Sequence, residues 1–283
     1  MIVPQIPDMP GSFTVHPVSS IKGRELAPYR TLRRQIEHRR DGIFVAEGGL
    51  VVKRLLRSTL EVVSLLVTPG WMARLQPHFT TRHASTPVYV AQESVLAEIV
   101  GFHAHQGVMA VGRIPPSPGL DEVLTRSTPP LLVALDGVAN PENLGVIMRT
   151  CAAFGVTAVV VGETAADPWL RRAVRNSMGA VFLLPTVPTD DLVATVTHLQ
   201  RRHGITCLAA CPSTGIAPWD AGLTGACCLV LGHEGEGVRP EVAKACRGSV
   251  TVPMAMGLDS LNVAGAAAVV LYEALRQRRN RPS

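Results

Sequence analysis

Leu131-Leu-Val-Ala-Leu135, then Asn140-Pro-Glu-Asn-Leu-Gly-Val-Ile-Met-Arg149, then Gly155 and Thr157-Ala-Val-Val-Val161 decide the fold of this chain. Five apolar residues in a row, with no polar alternate, read as a strand buried on both faces. Such strands belong to parallel sheets covered by helices on each side. Asn-Pro-Glu-Asn is a good helix start, and Asn143 is of the type that caps one. The spacing predicts a helix over Leu144–Phe154, with Gly155 as its stop and a second buried strand after it.

The same alternation extends in both directions. Downstream come a helix over Asp190–His203 ended by Gly204, strands over Ile205–Ala210 and Cys228–Leu231, and a last helix over Asn262–Gln277. The Ala264-Gly-Ala-Ala-Ala268 stretch of that helix permits close approach of another backbone. Upstream, Pro115-Pro-Ser-Pro-Gly119 and Ser127-Thr-Pro-Pro130 bracket a polar connection, so 115–130 is expected to be a linker and 131–283 a domain. Residues 21–114 read as a smaller α/β domain. Its elements are a basic helix or helix pair over 22–40 interrupted near Pro28, strands over Ile43–Ala46, Val62–Val67, Val88–Val90 and Val108–Val111, and helices over Gly48–Ser58 and Glu93–Val100. On the first of these two helices Leu50, Val51, Leu55 and Leu56 share a side. Residues 1–20, with Pro4, Pro7, Pro10 and Pro17 and no periodicity, read as a mobile tail.

Composition narrows the class. Aromatic residues make up only 4% of the chain, so the core must be aliphatic, which suits buried strands under helices. No apolar run reaches the roughly 18 residues that span a bilayer. The N-terminal residues lack the basic start and apolar stretch of a signal peptide, and the expectation is a cytoplasmic protein without a membrane partner. The six cysteines sit mostly in apolar stretches and read as buried free thiols. Cys207, Cys211, Cys227 and Cys228 have a superficial zinc-site spacing, but adjacent strand residues point to opposite faces, and no metal is expected there or elsewhere in the chain. The charge is uneven. Residues 1–60 hold ten Lys or Arg against five Asp or Glu, while the rest holds seventeen of each, so the net +5 lies in Lys22, Arg24, Arg30, Arg33, Arg34, Arg39, Arg40, Lys53, Arg54 and Arg57. A local basic excess suits a phosphate backbone as well as a solvated helix face.

Two further segments join Asn140–Arg149: Leu229-Val-Leu-Gly-His-Glu-Gly-Glu-Gly237, and Thr251-Val-Pro-Met254 followed by Ser260-Leu-Asn-Val263. In this order and spacing the three resemble the motifs of the SpoU (TrmH-type) branch of the SPOUT methyltransferases. The resemblance covers about Leu131 to Gln277, and more loosely reaches back to Phe44. It implies methyl transfer from S-adenosyl-L-methionine to a ribose 2′-hydroxyl of structured RNA, ribosomal or transfer. It also implies a parallel-sheet catalytic domain with a deep trefoil knot, an obligate homodimer, and an N-terminal domain similar to the ribosomal-protein-L30e-like domains found ahead of SpoU catalytic domains. By the same resemblance Arg149, Asn143, Glu234, Ser260 and Asn262 match catalytic-motif positions. Leu231, Gly232, Gly237, Val252, Met254 and Leu261 match the cofactor-holding segments. One departure is Ala264-Gly265, where the family often has Ser-Val.

These residues suit such chemistry on their own terms. Gly232, Gly235 and Gly237 tolerate close backbone approach, and their spacing is not the GxGxxG of dinucleotide folds. Val252, Met254 and Leu261 offer apolar walls, though core packing explains them equally well. Gly145 and Arg149 share a helix face, so Gly145 is expected to leave room beside the guanidinium, and Arg149 on an otherwise apolar helix calls for an anion. Arginine is a poor literal base, so it suits stabilisation of a forming oxyanion. Glu234 is a candidate partner for Arg149, Ser260 and Asn262 are candidates for holding substrate or satisfying loop backbone, and Arg171, Arg172 and Arg175 for touching phosphates. His233 is not required by the motif. The rival readings are a non-catalytic RNA-binding protein that keeps the fold, and a Rossmann-like enzyme of small molecules, against which the missing GxGxxG argues.

Overall fold

The apolar run at Leu131 forms a strand because it can hide both faces. In the computed structural model every residue of Leu131–Asp136 is buried. The model describes residues 14–99, 107–256 and 258–280. Contacts divide the chain into two units, Met1–Pro115 and Pro116–Ser283.

The first unit holds strands β1 (Val15–Val18), β2 (Ile43–Glu47), β3 (Val62–Val67), β4 (Val88–Ala91) and β5 (Val108–Arg113), in the order β1-β4-β3-β5-β2. β1, β4 and β3 run parallel, while β5 is antiparallel to both β3 and β2. Helices α1 (Ala27–Arg30), α2 (Gln35–Arg40), α3 (Gly49–Arg57), α4 (Pro69–Leu75) and α5 (Glu93–Leu96) accompany it. Three details correct the sequence reading. Val15–Val18 is not tail but an edge strand paired with Val88–Ala91, while residues 1–13 of the expected tail lie outside the described residues. Pro28 does not break the basic helix pair. It sits in the first turn of α1, where its missing N–H costs nothing, and the break falls at Thr31–Arg34. On α3 the core face is Val51, Val52, Leu55 and Leu56, and Leu50 points outward, 48% exposed. The expected helix end at Val100 lies outside the described residues.

The second unit begins with a short helix, α6 (Leu120–Leu124), inside the stretch expected to be a linker. Its sheet has six strands, all parallel: β6 (Leu131–Asp136), β7 (Ala158–Val161), β8 (Thr186–Pro188), β9 (Thr206–Ala210), β10 (Cys227–Gly232) and β11 (Gly248–Val250), in the order β11-β9-β10-β6-β7-β8. The helices are α7 (Pro141–Ala153), α8 (Arg171–Asn176), α9 (Leu192–His203), α10 (Pro240–Ala245) and α11 (Val263–Arg279). One face of the sheet, with Leu132, Ala134, Val160 and Val230, packs on Val123 of α6, Leu192, Val196 and Leu199 of α9 and Val242 of α10. α7 and α11 pack on each other, and α8 packs on α7. No described helix is long and apolar enough to cross a membrane.

The helix ends follow their capping chemistry. Asp191 accepts from the Ala194 N–H and opens α9, and Gly204 closes it in the left-handed conformation. The cysteines lie as their strands dictate. Cys207 and Cys228 are register partners on β9 and β10 within the core, with Cys246 packed against them, and burial pushes the Cys246 thiol up to about 12.

Candidate active site

The cleft of interest lies at the carboxyl ends of β9, β10 and β11, where parallel sheets present their ligand sites. β10 ends at Gly232, and the chain turns at once through His233–Gly237. His233 and Gly237 pair as an antiparallel bridge with two 2.9 Å backbone hydrogen bonds. Nδ1 of His233 accepts from the Gly235 N–H (3.1 Å) and the Glu236 N–H (3.3 Å). The imidazole therefore holds the loop closed. Gly237 has φ +74°, a left-handed conformation in which a side chain is strained. Gly232 is also required by the loop itself: a Cβ there would run into the backbone of Gly237 and Val238.

All six residues expected to hold a cofactor, Leu231, Gly232, Gly237, Val252, Met254 and Leu261, line this one cleft. Glu234, Glu236 and Ser260 line it too. Leu261 is 41% exposed, an aliphatic side chain displayed on a cleft wall. Sequence reasoning missed Cys211, which follows β9 and also lines the cleft. Its thiol bonds Oγ1 of Thr214 at 3.1 Å. That bond, helped by the Ser213 and Thr214 backbone, holds the thiol below its ordinary value despite partial burial.

The catalytic-motif residues meet in a hydrogen-bonded chain beside the cleft. Nδ2 of Asn262 donates to Oδ1 of Asn143 (3.0 Å), and Nδ2 of Asn143 donates to Oε1 of Glu234 (2.9 Å). Glu234 also accepts from the backbone N–H groups of Asn140 (3.0 Å) and Ala139 (3.2 Å). Three motifs up to 119 residues apart are thus joined side chain to side chain. Partial burial alone would raise the Glu234 carboxyl, but the Asn143 amide and the backbone N–H groups outweigh it and hold it below the ordinary range. The helix cap is what frees Asn143 for this. Asn140 caps α7, accepting from the Glu142 N–H at 2.7 Å, so the expectation of Asn143 as a cap is corrected by three residues. Asn262 likewise caps α11 through its Oδ1 while its Nδ2 reaches Asn143.

Arg149 stands apart. It is exposed, lies six residues along α7 from Asn143, or about 9 Å of helix rise, and makes no hydrogen bond or ion pair among the described residues. It does not pair with Glu234. Gly145 does not make room for it either. A Cβ on Gly145 would meet the carbonyl oxygen of Ala173 at 2.5 Å and the Ser177 nitrogen at 2.9 Å, so this glycine lets α8 close on α7. Of the α8 arginines, Arg172 lies 3.9 Å from Glu142.

A second network was not legible in sequence. Asp136, fully buried at the end of β6, accepts from Nε (2.6 Å) and the backbone N–H (2.7 Å) of Arg239. Nη2 of Arg239 also reaches Glu163 at 2.6 Å. The network ties the segment leaving the Gly232–Gly237 loop to the neighbouring strand.

The model of the SpoU rRNA Methylase family matches residues 130–272. The chain belongs to the SpoU family. Among its relatives, a protein of Mycobacterium bovis described as an uncharacterized tRNA/rRNA methyltransferase is 35% identical over 238 residues, 83% of this chain and 81% of the relative. The 23S rRNA (guanosine-2′-O-)-methyltransferase RlmB of Pasteurella multocida is 34% identical over 212 residues, 72% of this chain and 85% of its own. Among solved structures, the SpoU methyltransferase AviRb of Streptomyces viridochromogenes in complex with AdoMet superposes with a TM-score of 0.79 at 25% identity, covering 92% of this chain and 100% of that one. SpoU membership places the chain in the SPOUT superfamily and accounts for the order of its three motifs along the parallel sheet.

Proposed function

We propose that this chain methylates a ribose 2′-hydroxyl of ribosomal or transfer RNA. It is an RNA methyltransferase, and S-adenosyl-L-methionine is its cofactor. The observation that carries the ribose reading is the Asn262–Asn143–Glu234 chain beside the cleft of a SpoU-family protein. RlmB relatives carry the guanosine-2′-O description, which supports the ribose hydroxyl as the acceptor.

The cleft fits the cofactor. Leu231, Val252 and Leu261 give aliphatic walls for an adenine, and Glu234 and Glu236 are among the residues that line the same space, where negative charge favours a sulfonium. Bound there, S-adenosylmethionine supplies an electrophilic methyl group. Asn143 and Asn262 fix the Glu234 carboxylate, and Ser260 with Asn262 orients the acceptor ribose at the start of α11. Arg149 stabilises the alkoxide as the hydroxyl loses its proton to water or a phosphate oxygen, a role its unpaired, exposed guanidinium leaves it free to take.

The exposed stripes of α7 and α11 support a homodimer. Val146 on α7 and Val269 and Tyr272 on α11 are 42%, 42% and 57% exposed, and α7 also carries Arg149 on its exposed surface. A second copy packed there would bury apolar surface beside Arg149. Family membership supports a trefoil knot around the second and third motifs, residues 21–114 as the RNA-positioning domain, and a cytoplasmic site of action.

The test uses unmodified transcripts of ribosomal and transfer RNA with methyl-labelled cofactor. A 2′-O-methyl group removes the nucleophile of alkaline cleavage, so the expected product shows label at a position resistant to alkali. Label on a base, with an intact alkaline ladder, would overturn the ribose assignment.

A further inference from the structure

We propose that the chain carries a divalent transition-metal site, of zinc type, formed by Asp121, His198 and His203. The three come from two elements, Asp121 from α6 and both histidines from α9. Nε2 of His203 lies 3.0 Å from Oδ1 of Asp121, Nε2 of His198 lies 3.5 Å from the same oxygen, and the two Nε2 atoms are 3.3 Å apart. All three donor atoms therefore point into one space.

Hydrogen bonding alone accounts poorly for this triangle. If both Nε2 atoms carry protons, both can donate to Asp121, but the two N–H groups then face each other. If one ring uses its other tautomer, a single N–H must choose between the carboxylate and the neighbouring ring. Protonating both rings sets two cations 3.3 Å apart. Every arrangement leaves one of the three contacts unfavourable. A bound cation makes all three favourable at once. The size is right as well: ligands about 2.0–2.1 Å from a tetrahedral zinc lie about 3.3–3.4 Å from one another, against the 3.0, 3.3 and 3.5 Å seen here. Two imidazoles and a carboxylate are a donor set that first-row metals such as zinc accept, with the fourth position left to water.

The scaffold is rigid enough to hold such a site. Val123 of α6 is fully buried against Leu192, Val196 and Leu199 of α9, and Leu120 and Leu124 pack beside it. The ligands project from the solvent side of this packed pair, with Asp121 63% exposed and the imidazoles of His198 and His203 39% and 24%. Access for an ion is therefore direct. The site shares no residue with the cleft at the carboxyl ends of the strands. Its role is that of a staple joining α6, the first helix of the second unit, to α9. Bound metal stabilises the folded state because the unfolded chain lacks the site.

The experiment titrates zinc chloride into chelator-treated full-length protein by calorimetry, with cobalt absorption spectra as the coordination readout. One zinc per chain with at least micromolar affinity is expected, together with a higher melting temperature and cobalt bands of tetrahedral intensity. His198→Ala, His203→Ala and Asp121→Asn should each weaken binding by about tenfold or more. Unchanged stoichiometry and affinity in the His198→Ala/His203→Ala double variant would overturn the site, as would absence of zinc binding by the wild-type protein. The wild-type protein also gives a readout that does not depend on variants folding. Zinc should protect His198 and His203 from diethylpyrocarbonate, and equal modification with and without zinc would likewise overturn the site.

Discussion

Asn143 shows how one amide can organise a site. It gives its N–H to Glu234 and takes one from Asn262, so it must be an amide, with donor and acceptor at opposite ends. A hydrogen bond to a charged group contributes about 1.5–3 kcal/mol. Asn143→Ala should therefore lower methyl transfer roughly 10- to 100-fold, measured by single-turnover assay, with little change in melting temperature. Asn143→Asp should be worse than alanine, because it sets a second carboxylate against Glu234. Equal activity in the two variants would mean that repulsion of Glu234 by a second carboxylate does not matter, and an alanine variant with full activity would mean that the Asn143 donor does not. Arg149 makes a separate prediction. If it stabilises a forming alkoxide, Arg149→Ala should lose activity in kcat with cofactor affinity intact, and Arg149→Lys should recover little, since an ammonium lacks the planar fork. A lysine variant with near wild-type chemistry would reduce Arg149 to a simple positive charge. The residue types of the site were legible in the sequence, but their pairings were not. Glu234 was a plausible partner for Arg149, yet it bonds Asn143, because Asn140 takes the capping role and leaves Asn143 free. A one-turn displacement along a helix is invisible to residue type.

Among elements, long periodic segments declared themselves and short ones did not. α7 and α9 end at positive-φ glycines that were legible in sequence, Gly155 and Gly204, whereas the caps at the starts of α7, α9 and α11 (Asn140, Asp191 and Asn262) were not picked out. β8 and β11 have three residues each and α8 and α10 six, too few for a period to show, and they exist through pairing and packing on neighbours. The turn after β9 was missed for the same reason, although it brings Cys211 to the cleft. That thiol offers a footprint. Held below its ordinary value by Thr214 and the Ser213–Thr214 backbone, and half-buried, it should be alkylated by iodoacetamide well before Cys151, Cys228 or Cys246, whose thiols are pushed up chiefly by burial and, at Cys228, by Cys207. Saturating S-adenosylmethionine should slow Cys211 labelling several-fold, measured by peptide mass spectrometry. Equal rates with and without cofactor would place the cofactor away from this end of the cleft.

On the scale of the whole molecule, the alternation of strand and helix in each unit was readable, while the homodimer came only from the family resemblance, because a sequence does not display which helix faces remain uncovered. The structure leaves Val146, Val269 and Tyr272 exposed on helices that pack together. Sedimentation should give about twice the 30.2 kDa chain mass, and Val146→Glu with Tyr272→Glu should shift the protein to monomer, because each would bury a charge in the interface. A dimer that survives both changes would place the interface elsewhere. The charge distribution yields a last prediction of the same reach. The basic excess of the first unit is largely on its surface, with Arg33, Arg34, Arg40 and Arg57 all exposed. If these side chains neutralise phosphates, they release counterions on binding, and each contact adds about 0.7 to 0.9 to the slope of log affinity against log salt. Changing all four to glutamine should therefore flatten that slope by about three while leaving S-adenosylmethionine affinity unchanged. Weaker RNA binding with an unaltered slope would mean that these arginines act through shape or folding, and an unchanged affinity and slope would reduce them to a solvated face, leaving RNA to be gripped by the second unit alone.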